Sequence, residues 1–209
     1  MSPATGVPQQ SPSAVTEMTH ALTPDAPPSP SPAAPLAPSP GPATPSLSPS
    51  PSPPFTLPDQ HGTPRTLADL LTHYPTPPTP LASLASLTLL VFYPFAFSNI
   101  CGGELQALQA ALPDLETRGI TLAAISCDPM FSLRVYAERE AFTFPLLSDF
   151  WPHGAVARDY GVFDEAKGCA RRGSFLVDRD GIVRWSIVNP ISEARPLSAY
   201  LEAADHLNR

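Results

Sequence analysis

The chain has 209 residues, 30 of them proline, three cysteines and a formal net charge of −7. Setting aside Glu17 and Asp25 in the first quarter of the chain leaves −5 on the rest, a balance that argues against nucleic acid or an anionic membrane surface as partner. No stretch is apolar and long enough to span a membrane or to form the core of a signal peptide, so a cytoplasmic location is expected.

Residues 1–54 are Pro, Ser, Ala and Thr with scarcely any large apolar group. Such a segment cannot bury enough surface to offset chain entropy and reads as a disordered tail, a spacer or a polyproline II ligand. Residues 55–209 are long enough for one domain with its own core. In chain order they read as a hairpin and turn (FTLPDQHGTPRTLADLL), a Pro-rich loop from about Leu71 to Ala85, and a buried strand ending in Pro94. A helix after Cys101 with a kink at Pro113 follows, then strand ITLAAIS, helix SLRVYAEREA, short strand PLL and helix PHGAVARDY. Hairpin GSFLVD/GIVRWSIV and a final helix from Glu193 complete the chain. Alternating strands and helices closed by a hairpin and a helix predict an α/β thioredoxin-like fold, a central mixed β-sheet flanked by helices.

The most informative stretch is LTLLVFYPFAFSNICGGE, residues 87–104. Its continuous apolar run predicts a strand buried on both faces. Leu105, Leu108 and Leu112 share one face of the helix that follows, which places Cys101 at a helix N-terminus, where unpaired N–H groups favour an anion. The helix end supplies about 0.3–1 kcal/mol, too little to make a thiolate predominate. A hydroxyl from Ser98 and a cation worth about 1.5–3 kcal/mol must add to it. Arg172, in CARRGSFLVD just ahead of a strand, is the best candidate.

Pro94-x-x-x-Ser98-x-x-Cys101 with Arg172 before a strand resembles the peroxiredoxin active-site signature. The blocks FPLLSDFWPHGAVARDYGVFDEAKG and RRGSFLVDRDGIVRW look like its alkyl hydroperoxide reductase E-type, one-cysteine branch, from about Phe55 to the C-terminus. The resemblance implies Cys101 as peroxidatic nucleophile, Ser98 as hydroxyl donor to the peroxide, and Arg172 as holder of thiolate and peroxide oxygens. It implies Pro94 as a shield against water, Glu104 as the carboxylate orienting Arg172, and Arg195 as a second arginine of that network. It further implies a hydroperoxide substrate, no cofactor and no metal, a homodimer with the DFWPHG region in the contact, and an external thiol as reductant, of thioredoxin or mycoredoxin type.

Neither other thiol, Cys127 nor Cys169, occupies a position at which two-cysteine relatives carry a resolving cysteine, which gives a one-cysteine mechanism. A moving loop before Arg172 leaves open a disulfide to Cys169. The alternatives are a thioredoxin-like thiol-disulfide oxidoreductase and a redox sensor or adaptor without activity of its own. The first is weakened because Cys101-Gly-Gly-Glu104 lacks the second cysteine of a CxxC pair. Cys127 reads as structural, and Trp151 and His153 as packing or interface residues.

Overall fold

Strand β4 (Leu87–Phe92) is buried at every position, and its odd and even residues serve two different cores. Leu87, Leu89 and Val91 face a cluster with Leu105, Leu115, Leu133 and Tyr200, whereas Leu90 and Phe92 face one with Leu67, Val156, Ala157 and Phe175. Helices on both faces are what an unbroken apolar strand demands. The computed structural model of the chain describes residues 45–72 and 87–208.

Among the described residues six strands form the sheet, in the order β1 (Ser50–Pro51), β10 (Ile182–Asn189), β9 (Arg172–Asp178), β4, β5 (Ile120–Ser126), β6 (Leu146–Ser148). The pairs β4–β5 and β5–β6 are parallel, while β4–β9, β9–β10 and β10–β1 are antiparallel, so the sheet is mixed. Helices α2 (Asn99–Ala110), α3 (Leu112–Thr117), α4 (Met130–Glu140) and α6 (Leu197–Leu207) cover one face. The other is covered by α1 (Leu67–Thr72), α5 (Ala155–Asp159) and the hairpin of β2 (Thr56–Pro58) and β3 (Pro64–Thr66). A short ribbon of β7 (Phe163–Asp164) and β8 (Cys169–Ala170) leads into β9. This is the expected thioredoxin-like α/β arrangement. No helix among the described residues is long and apolar enough to cross a membrane.

Several boundaries differ from those expected. Residues 45–54, placed by their composition in an undocked tail, lie on the sheet. Ser50 and Pro51 pair with β10, and the Ser52 hydroxyl sits 2.6 Å from that of Tyr160. Backbone hydrogen bonding, blind to apolar content, holds them. Leu71 and Thr72 belong to α1, and the remainder of the Pro-rich 71–85 loop lies outside the described residues. Pro113 ends a helix rather than kinking it, occupying the first turn of α3 where its missing N–H costs nothing. The last helix begins at Leu197, not Glu193: Arg195 is drawn into the site, and Pro196 takes the N-cap in an extended conformation. Helix α5 begins only after Gly154, whose φ of +68° breaks the helical path.

Candidate active site

Cys101 is the third residue of α2, behind Ser98 at the N-cap, and its side chain is fully buried. The loop from β4 to α2 carries Pro94, also buried, and is pinned by Asp128. One Asp128 carboxylate oxygen accepts the Ala96 N–H at 2.8 Å and the Ser126 hydroxyl at 2.8 Å. Ser98 aims its hydroxyl at the Phe95 carbonyl, 3.1 Å away, rather than at the sulfur, and its own carbonyl accepts the Gly102 N–H. The expected Ser98 donor therefore lies in the right turn of chain with its proton engaged locally.

Arg172, the first residue of β9, is brought to α2 by the antiparallel pairing of β9 with β4. Its Nη2 lies 3.4 Å from Cys101 Sγ, its Nη1 donates to Glu104 Oε2, and its Nε donates to the Ile191 carbonyl at 2.7 Å. Three contacts on three edges of a planar guanidinium leave it one orientation. Glu104, one turn after Cys101 on the same helix, takes Arg195 on its other side. The Arg195 backbone N–H and Nε both reach Oε1, at 2.6 and 3.1 Å, and Nη2 reaches Oε2 at 3.1 Å. Arg195 Nη1 in turn donates to the Phe92 and Gly173 carbonyls and to the Ser174 hydroxyl, at 2.8–2.9 Å. Glu104, Arg172 and Arg195 are all buried. Two guanidinium charges face one carboxylate, and the cluster ends on the Cys101 sulfur with one positive charge in excess. A buried excess charge is costly unless a counter-ion meets it, and the Cys101 sulfur is the group that Arg172 Nη2 faces.

Glu104 thus bonds to both arginines. Two contributors escaped sequence reasoning. Asp128 lies 27 residues beyond Cys101 and carries no local signal. The Ile191 carbonyl is a backbone group whose neighbour NPIS reads only as a turn.

The remaining thiols are of another kind. Burial pushes the Cys127 thiol up to about 12, with the Asp149 carboxylate adding to the effect. Burial likewise raises Cys169 to about 11, with Asp164 adding. Both therefore stay protonated at neutral pH. Cys169 sits in strand β8, fully buried, rather than in an open loop. Its neighbour Arg171 is fixed by an N–H bond to the Val162 carbonyl at 2.6 Å. Trp151 and Phe150 are exposed, and the His153 ring pairs with the Gly168 carbonyl at 2.7 Å.

A mixed thioredoxin-like sheet, with a lone cysteine in the first turn of a helix beneath a carboxylate-locked arginine, defines the class of the peroxiredoxins, thiol-dependent oxidoreductases. The chain belongs to the AhpC/TSA family, whose model matches residues 50–186. It is 47% identical over 119 residues to alkyl hydroperoxide reductase E of Mycobacterium tuberculosis, covering 57% of this chain and 78% of that protein. It is 30% identical over 131 residues to alkyl hydroperoxide reductase C of Staphylococcus aureus, covering 59% and 68%. Among solved structures, peroxidoxin BcpB from Mycobacterium tuberculosis superposes with a TM-score of 0.64 at 27% identity, covering 77% of this chain and 97% of that one.

Proposed function

We propose that the chain is a thiol-dependent peroxidase in which Cys101 reduces hydrogen peroxide and organic hydroperoxides. The observation that carries the assignment is the 3.4 Å contact from Arg172 Nη2 to Cys101 Sγ, with Glu104 locking the far side of the same guanidinium. The Cys101 thiolate attacks the terminal peroxide oxygen, a sulfur–oxygen bond forms as the O–O bond breaks, and the departing oxygen takes the electron pair and then a proton. Negative charge moves from sulfur to the leaving oxygen, so a fixed guanidinium spanning both ends stabilises the transition state more than the ground state. Arg172 fills that role, Glu104 and Arg195 position it, Pro94 screens the sulfur from water, and Ser98 donates to the peroxide after turning from the Phe95 carbonyl.

The product is a cysteine sulfenic acid. An external thiol attacks its sulfur and releases water, and a second thiol resolves the mixed disulfide, returning Cys101. A thioredoxin- or mycoredoxin-like protein is the reductant we infer, since the raised thiols of Cys127 and Cys169 make poor attackers. The cytoplasm is the compartment that keeps such a cycle reduced. A homodimer that includes the exposed Phe150–Trp151 corner is the inferred assembly. Mass spectrometry after one equivalent of peroxide tests the scheme. A single added oxygen on the Cys101 peptide is expected, and a disulfide-linked Cys101–Cys169 peptide would overturn the one-cysteine cycle.

A further inference from the structure

Pro45 to Pro54 reads PSLSPSPSPP. Ser46 and Ser186 exchange backbone hydrogen bonds in both directions, at 2.8 and 2.9 Å, and the Ser52 N–H donates to the Gly181 carbonyl at 2.8 Å. Between them Ser50 pairs with Val183 and Pro51 with Ile182. Ser46 and Ser52 both turn their N–H groups toward β10, so the period of two in an extended chain puts Ser50 on that side and Leu47, Pro49 and Pro51 on the outer one. Proline has no N–H. On its inner side the segment bonds to β10 at Ser46 and again over Ser50–Ser52, the Ser48 N–H between them being held by the Ser46 hydroxyl at 3.3 Å, and its outer side is nearly donor-free.

Its side chains from Pro45 to Pro51 are exposed, so backbone bonds hold it, with the Ser52–Tyr160 hydroxyl pair as the anchor. Without it β10, eight residues long, would be the edge of the sheet. An open edge strand is self-complementary. Two copies related by a twofold axis can pair antiparallel along it. The opposite edge, β6, is shielded by the β2–β3 hairpin through a bridge from Asp59 to Leu147.

We propose that Ser46–Ser52 is a built-in cap on the β10 edge: Ser46, Ser50 and Ser52 supply the donors that edge accepts, and Pro49 and Pro51 close the outer side, which keeps β10 from pairing with β10 of a second copy of this chain. The inference is independent of the peroxidase assignment.

Two full-length variants test it, with mass measured by light scattering across a concentration series and folding checked by circular dichroism. Ser46→Pro/Ser50→Pro/Ser52→Pro removes the inward donors and frees β10. Its mass is expected to rise with concentration toward twice that of the unaltered chain, and adding Ser186→Pro, which deletes an edge-facing donor of β10, should reverse the rise. Pro49→Thr/Pro51→Thr leaves the inner ladder intact and gives the outer side donors, and the same concentration-dependent doubling is expected. An unchanged mass in the folded serine variant would overturn the masking of β10. An unchanged mass in the proline variant would overturn the role given to the outer prolines, and this second variant decides the matter if the first does not fold.

Discussion

Glu104 divides its carboxylate between two buried arginines, and this one residue converts a pair of repelling guanidinium groups into a rigid donor aimed at Cys101. Truncating one member of a buried ionic cluster typically costs about 3–5 kcal/mol, because the partners stay buried without a counter-charge. Glu104→Gln is therefore expected to lower stability by that order in denaturant unfolding and to slow peroxide consumption as Arg172 loses its orientation. For the chemistry itself, Cys101→Ser should abolish peroxide consumption in stopped flow, while Cys127→Ser, away from the helix end and the arginines, should retain most of it. Near wild-type turnover in Cys101→Ser would sink the mechanism. Arg172→Met is expected to slow the reaction about 10²–10³-fold, the range seen when a transition-state donor is removed. Raising the pH should recover part of that loss by forming more thiolate. Full recovery would reduce Arg172 to a thiolate stabiliser and remove its part in holding the leaving oxygen.

Elements matter here by what their ends present. The β2–β3 hairpin turns around Asp59, which is buried and accepts the N–H groups of His61 and Thr63, each at 2.9 Å, and Arg65 Nε at 3.0 Å. Desolvation works against its charge, but the two backbone donors and Arg65 outweigh it and hold the carboxyl below its ordinary value of 3.8. A carboxyl depressed in the folded state contributes stability that is complete above the unfolded value and lost as pH falls through the folded one. The melting temperature should therefore drop as pH is lowered below about 4. In Asp59→Asn, which keeps an acceptor and loses the ion pair, stability at neutral pH should fall by about 1 kcal/mol with a shallower acid limb. A limb of unchanged slope would mean other carboxylates govern acid unfolding. Gly173 supports the site from β9 in a different way: a Cβ there would lie 2.6 Å from Val162 Cγ1, so any side chain would have to displace either the buried Val162 or the strand that carries Arg172. These elements were legible to different degrees. The apolar run of β4, the period of α2 and the Pro-Ser-Cys spacing are local signals, and the strand, the helix and the place of Cys101 followed from them. Glu104 and Arg195 came through resemblance, because nothing local tells a buried carboxylate from a solvated one. Asp128 and the Ile191 carbonyl came from neither, since their roles exist only once β4, β5 and β9 are side by side.

At the scale of the molecule, the least legible feature was where the tail stops. Composition judges a segment by the apolar surface it can bury, and by that measure everything before Phe55 is excluded from the fold. A sheet edge recruits chain by another rule, the pairing of N–H with C=O, which Ser46, Ser50 and Ser52 satisfy without burying a large side chain. The two criteria give different expectations for truncation. Removal of residues 1–44 should leave the melting temperature and the second-order rate with peroxide nearly unchanged, as the poverty of that segment in large apolar groups requires. Removal of residues 1–54 takes away β1 and also strips the Tyr160 hydroxyl of both its partners, the Ser52 hydroxyl at 2.6 Å and the Pro53 carbonyl at 3.1 Å. A buried donor left without partners costs about 1–3 kcal/mol, and at about 2–4 °C per kcal/mol for a chain of this size the longer truncation should melt several degrees lower. Tyr160→Phe in the longer truncation should regain part of that loss, because the orphaned hydroxyl is gone while its packing on Phe92 and Phe175 stays. Equal melting temperatures for the two truncations would show that the strand adds nothing to stability. The rate with peroxide should be the same in both, since Tyr160 lies on the face of the sheet opposite Cys101.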